Sequence, residues 1–355
     1  MAYAVFFLLI CFAIWICFID YEGVVSDKLL CIFMFPLMAF VSTNDDKAGY
    51  ELMYDYIDSL PKVGFTDPGF GSLMFIGRTI NLDYMGFLAV FTLLGLFFVT
   101  ITLKRICKLP SIVLAVYFVT LFPTYTIQLR CFISEVILYV LIIKFLNEEH
   151  FDLKGFLALL FIAILFHATS TFFILLLLAV FAKSYKQLLS IVMMAIVVVP
   201  VTAYILKYVP IPMIQEKIQY YFVYRESSSV GSILLIMMYV FVTCVIYYFM
   251  ERTDDPQWQI QLERLLRVNI IGLIACALIL VFNSNYYRLN RVILMVDLIF
   301  VMNKSSESSI IQNSRNRSII AMIVIVLFAG KEMLTNTIMG LSFNNTVLSS
   351  FLDLI

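Results

Sequence analysis

Apolar runs long enough to cross a bilayer recur from one end of the 355-residue chain to the other, with only short polar loops between most of them. A helix crosses about 30 Å of hydrocarbon with about 20 apolar residues, whereas an open sheet would leave its edge amides and carbonyls unpaired in lipid. Helices are therefore expected throughout. The runs fall near 2–19, 24–42, 84–103, 110–128, 130–146, 153–168, 170–182, 187–206, 230–250, 268–283, 289–303 and 318–339. The expected fold class is all-α: a polytopic transmembrane helix bundle of about 12 spans, with an extracytoplasmic loop region and short interfacial helices. Residues are 63% hydrophobic and 14% charged, against about 25% charged in soluble domains. No stretch between the runs is long enough to bury a core of its own, so 1–355 reads as a single transmembrane domain.

Charge distribution orients the bundle. Lys and Arg total 24 and so do Asp and Glu, which gives no reason to expect a nucleic-acid partner. Cations recur after every second span, at Lys104, Arg105 and Lys108, at Lys144 and Lys154, at Lys183 and Lys186, at Arg252, Arg264 and Arg267, and at Lys304, Arg315 and Arg317. The positive-inside rule makes those loops cytoplasmic and puts both termini outside, with the loops 43–83 and 207–229 and the turns near Gln128 and 283–291. The 43–83 segment is acidic, as suits that side. The run from Lys154 to Lys183 would make one helix of about 45 Å, too long for an untilted span. It is interrupted at His167-Ala-Thr-Ser170, so two short helices meeting at His167 are expected.

Seven cysteines without CxxC spacing argue against a disulfide framework or a zinc site. Neither histidine has a partner at ligand spacing, so neither a metal nor another cofactor is expected. The run at Met1 has no basic segment before it and no cleavage signal, which reads as a retained helix, and no lipidation motif is seen.

Ionisable groups at a membrane edge are costly and mark function once snorkelling is set aside. Arg130 opens a helix after Gln128. Arg288 and Arg291, three apart, share a helical face and form a fork suited to one anion. Arg130 at a helix N-terminus adds the positive end of the helix dipole. The alternative for all three is snorkelling to lipid headgroups or capping carbonyls. Arg78 and Arg225 sit among acids or in polar loops and are weaker candidates. His167 interrupts an apolar stretch and reads either as a general base or as a polar core residue. His150, after Glu148 and Glu149, reads as solvated. Asp46, Tyr50 and Tyr54 fall four residues apart, so one helical face carries a carboxylate and two rings, which suits either a carbohydrate platform or an amphipathic interfacial helix. Asp67-Pro-Gly-Phe70 is a turn signal whose carboxylate is a second candidate base.

In this order, these residues resemble the EpsG-like branch of the Wzy polysaccharide polymerases. The resemblance rests on Asp46-x-x-x-Tyr50-x-x-x-Tyr54, the acidic-Pro-Gly-Phe turn at 67–70, Arg130 opening a mid-chain helix, Phe166-His167-x-x-Ser170, and the Arg288/Arg291 helix start. It spans about 45 to 300. It implies a membrane glycosyltransferase at the outer face of a bacterial cytoplasmic (inner) membrane, joining oligosaccharide repeat units carried on polyprenyl diphosphate. Donor and acceptor are then both lipid-linked glycans, with membrane lipid, a chain-length regulator and a flippase as implied partners. Arg130, Arg288 and Arg291 become the diphosphate clamp. His167 becomes the base, with Asp46 or Asp67 second, and Tyr50, Tyr54, Arg78, Gln128 and Ser170 line the substrate. A flippase or other transporter is the rival class; no repeat symmetry of the transporter kind is seen. A glycan ligase of the O-antigen type shares the chemistry.

Overall fold

The computed structural model describes residues 11, 12, 15, 26–40, 46–57, 67–148, 150–206, 229–281 and 286–305. The spans expected at 2–19 (except three residues) and 318–339 lie outside them, as do Arg225 and the loop 207–229 up to its last residue. Among the described residues the regular structure is helical and no strand occurs. The chain divides into two units: one comprises Met1–Val140, Leu157–Ala168 and Leu298–Ile355, the other Leu141–Phe156 and Thr169–Asp297. The single domain expected from sequence is thus made of two contact-dense parts.

In the first unit, α1 (Ser26–Ala39) packs on α4 (Tyr84–Ile106), with α2 (Lys47–Tyr56) and α3 (Pro68–Thr79) between them in sequence. The start of α4 is local chemistry: Asp83 at its N-cap accepts the Gly86 amide at 2.7 Å, one of the donors an isolated helix leaves orphaned. Lys104 and Arg105 in its last turn face the negative end of its dipole. Its 23 residues make about 34 Å of helix, enough to cross a bilayer. Ser232–Arg252, in the second unit, also meets the length and apolarity of a span.

Two contacts set α1 antiparallel to α4. Lys104 Nζ lies 2.6 Å from Asp27 Oδ2, and Cys31 Sγ is 3.1 Å from Thr100 Oγ1. Next come α5 (Pro110–Thr120), the single turn α6 (Phe122–Tyr125) and α7 (Leu129–Asn147). Gly95 of α4 is needed where α7 passes, because a Cβ there would collide with the Phe132 ring.

The helix α8 (Leu153–Phe166) stops at His167, as the sequence indicated, and is followed by a 3-10 segment over Ala168–Leu175 and by α9 (Leu176–Phe181). Eight residues is long for a 3-10 run, whose eclipsed side chains and poorer hydrogen bonds usually limit it to three or four. The second unit holds α9, α10 (Tyr185–Leu206), α11 (Ser229–Arg252), α12 (Pro256–Val281) and the start of α13 (Tyr287–Ser305). There α9, α10 and α11 all pack on α12. The helix α12 begins a dozen residues before its apolar run at 268. The added segment carries Arg264, which donates to the carbonyls of Phe145, Leu146 and Glu148, and Arg267, which donates to those of Ala179 and Ala182. Both arginines were expected simply as loop cations. They cap the C-terminal ends of α7 and α9, where orphan carbonyls and the helix dipole favour a cation.

The orientation expected from the cations has a direct test. In a background without native cysteines, membrane-impermeant thiol reagent applied from outside should label a cysteine at position 55, whose native side chain is 69% exposed, and spare positions 105 and 186. Strong outside labelling at 105 would invert the map.

Candidate functional site

The turn Asp67-Pro68-Gly69 begins α3 and also begins the site. Pro68 occupies the first helical turn, where its fixed φ and missing N–H suit a helix start. At Gly69 a Cβ would stand 2.9 Å from the Leu165 carbonyl oxygen, so glycine is what lets α3 start against the last turn of α8. Asp67 is at the N-cap, yet its carboxylate does not cap its own helix. It turns instead to groups far away in sequence.

Asp67 Oδ1 accepts the Ala168 amide at 2.8 Å, the first amide of the 3-10 segment. Asp67 Oδ2 accepts from Arg130 Nη1 at 2.5 Å, and His167 Nδ1 stands 3.6 Å from Oδ1. One carboxylate thus gathers the start of α7, the end of α8 and the start of α3. Arg130 also donates from Nε to the Tyr50 hydroxyl at 3.3 Å, with its guanidinium 5.7 Å from that ring's centroid. Side-chain exposure grades across the cluster: Asp67 3%, His167 11%, Arg130 35%. The Arg130 side chain is its accessible edge.

The electrostatics follow from this wiring. Burial alone would raise the Asp67 pKa, but the neighbouring His167 side chain, the Arg130 charge and the Ala168 amide outweigh it and hold the carboxyl below its ordinary value. Burial pushes the Tyr50 phenol up to about 12, against the pull of Arg130, so Tyr50 stays a neutral hydroxyl. An anion paired this way is a poor proton acceptor. Its geometry is that of a group that orients a histidine through Nδ1 and steadies a guanidinium.

A depressed carboxyl pKa contributes stability that is complete above the unfolded value of about 3.9 and is lost as pH falls through the folded value. Thermal unfolding in detergent should therefore show Asp67→Asn less stable than wild type at pH 7, with the gap closing on acidification below about pH 4. A gap that persists unchanged into acid would show that the Asp67 charge is not what stabilises this junction.

The other candidates are placed differently. Tyr50 and Tyr54 are 5% and 1% exposed and turn inward. Tyr50 packs edge-on against Phe70; Tyr54 lies against Tyr84 and Phe87 and donates its hydroxyl to the Leu82 carbonyl at 2.8 Å. With both rings covered, this helical face offers no open sugar platform. The acid–ring periodicity of the sequence marks the buried side of α2. Arg78 donates to the carbonyls of Tyr54 and Asp55 and to the Asp55 carboxylate, so it caps the end of α2. Asp46 is the N-cap of α2, with no side-chain cap bond, and its charge acts on Tyr50. Gln128 accepts from the Cys131 thiol and, by its carbonyl, from the Cys131 amide, while Ser170 is buried in the 3-10 segment. Arg288 and Arg291 lie in the first turns of α13, in the second unit, the former half-buried and the latter 7% exposed.

Besides Asp27, the partner of Lys104, sequence reasoning passed over two buried carboxylates. Glu135, on α7, accepts the Tyr125 hydroxyl, which is 3.1 Å from that of Tyr139. Asp297, on α13, accepts from Asn269 Nδ2 at 2.8 Å. An acid inside an apolar run was the available signal for both.

The family model described as the EpsG family matches residues 27–344 of the chain. No curated protein and no solved structure matches it.

Proposed function

The chain belongs to the EpsG family, and from that premise we propose that it is a membrane glycosyltransferase, a Wzy-type polymerase that joins polyprenyl-diphosphate-linked repeat units at the outer face of the cytoplasmic membrane. The observation that carries the reading is the Asp67 junction, which brings a partly exposed arginine and a histidine to one buried carboxylate from positions distant in sequence.

The reaction breaks the bond between the donor's anomeric carbon and the diphosphate oxygen and forms one from that carbon to a hydroxyl oxygen of the acceptor. The electron pair leaves with the lipid diphosphate, and the hydroxyl proton goes to a base. A leaving group that is already an anion needs cationic stabilisation more than protonation. Arg130 fits that part, since guanidinium binds phosphate through two parallel bonds and stays charged at any working pH. The amides of the α7 N-terminus add to it. His167 is the base, held through Nδ1 so that its opposite nitrogen meets the hydroxyl. Asp67, first weighed as a base, becomes the positioning residue for both. Holding two membrane-tethered substrates together supplies much of the remaining acceleration.

A deletion strain tests the reading. Its surface glycan should collapse from a distribution of chain lengths to a single repeat unit, restored by the intact gene. Lipid-linked single units trapped on the cytoplasmic side would identify a flippase, and polymer left on its lipid carrier would identify a ligase.

A further inference from the structure

We propose that the apolar groove lined by α3, α4, α7 and α8 seats the isoprenoid chain of the donor, an inference that rests on the glycosyl-transfer reading above. The groove encloses about 450 Å³, within the range of about 300–1,000 Å³ typical of ligand sites. Every residue that lines it is apolar or glycine. Three elements supply both a wall of the groove and a residue of the junction. Phe166 immediately precedes His167, Ile133 stands one turn after Arg130 on the same stripe of α7, and Leu73 follows Asp67 by less than two turns. From there the groove continues along α7 to Ile137, about 10 Å beyond Arg130.

Charge complementarity selects the occupant. An acyl chain alone would be equally content on any lipid-facing surface, but the walls of this furrow include the residue before His167 and a residue one turn from Arg130, whose side chain is 35% exposed. Arg130 gives Nη1 to Asp67 and Nε to Tyr50, and Nη2 makes no hydrogen bond among the described residues. An amphiphile with an anionic head and a long hydrocarbon tail matches both ends together. The groove is also open along its length, with Val90 44%, Leu94 60% and Ile162 42% exposed, so a chain anchored in the bilayer enters sideways without leaving lipid.

Binding to the purified full-length protein in detergent tests this, with a long-chain polyprenyl diphosphate and geranyl diphosphate as probes. Wild type should bind the long-chain probe tighter by about tenfold or more, since the longer chain makes more van der Waals contacts along the groove. Filling the groove with Val90→Trp or Ile162→Trp should remove that preference, bringing the affinity for the long-chain probe down to that for geranyl diphosphate, with the melting temperature unchanged. Leu93→Trp, at a 59% exposed position of α4 outside the groove, should keep it. Arg130→Lys should weaken both probes by the same factor. No chain-length preference in wild type, its persistence in both groove variants, or equal displacement of the long-chain probe by a large excess of phosphatidylglycerol would overturn the assignment. A protein that shows the preference and makes no polymer contradicts the reaction instead of the groove.

Discussion

Arg130→Ala should lower polymer formation per folded protein by about 10²–10³, the usual loss when one preorganised stabiliser of developing charge is removed. The same change strands the Asp67 carboxylate, 3% exposed, without its strongest partner. Breaking a buried pair costs about 3–5 kcal/mol, and less here because Arg130 is partly solvated and Ala168 still donates. Lower yield of the Ala variant is therefore expected and says nothing about catalysis. Arg130→Lys separates the two effects. It keeps the charge beside Asp67 and should fold, yet a point charge cannot hold Asp67, Tyr50 and a phosphate in one plane, so activity should stay well below wild type. Wild-type chain length in Arg130→Lys and in the folded fraction of Arg130→Ala would remove Arg130 from the chemistry.

His167→Gln carries the second large effect. Glutamine keeps a hydrogen-bonding group of similar reach toward Asp67 and cannot take a proton at neutral pH. Turnover should fall by about 10²–10⁴, the usual contribution of a general base, with the melting temperature nearly unchanged. His167→Phe should act in the other direction, losing folded protein through an unmet hydrogen bond at the junction, at a cost of about 1–3 kcal/mol. Polymer formed per amount of detergent-stable protein reads both variants on one scale. Near-normal turnover in His167→Gln would pass the base role to Asp46, because Asp67 is paired on both oxygens.

What was legible in the sequence tracks the range of the force concerned. Apolar length fixed α4 and α11, and the polar interruption at His167 marked the end of α8 because both signals are local. The site was legible only as separate residues. Asp67, Arg130 and His167 are spread over a hundred positions, and no periodicity links an N-cap carboxylate to an arginine 63 residues away. The rings of α2 were left between an open platform and an amphipathic helix for a related reason. Tyr50 and Tyr54 at four-residue spacing define a face, but which way it turns depends on Phe70, Tyr84 and Phe87 from other helices. Arg264 and Arg267 were read by their charge alone, whereas their partners are carbonyls freed by helix ends that only folding brings near.

The central claim is that this chain itself releases lipid diphosphate as it joins two glycans, with the Asp67 junction at work in that step. Purified protein in liposomes supplied with lipid-linked repeat units should release one polyprenyl diphosphate for each new glycosidic bond, and His167→Gln and Arg130→Lys should slow both products together. Lipid diphosphate released without chain growth, or chain growth at the wild-type rate in both variants, would contradict the account.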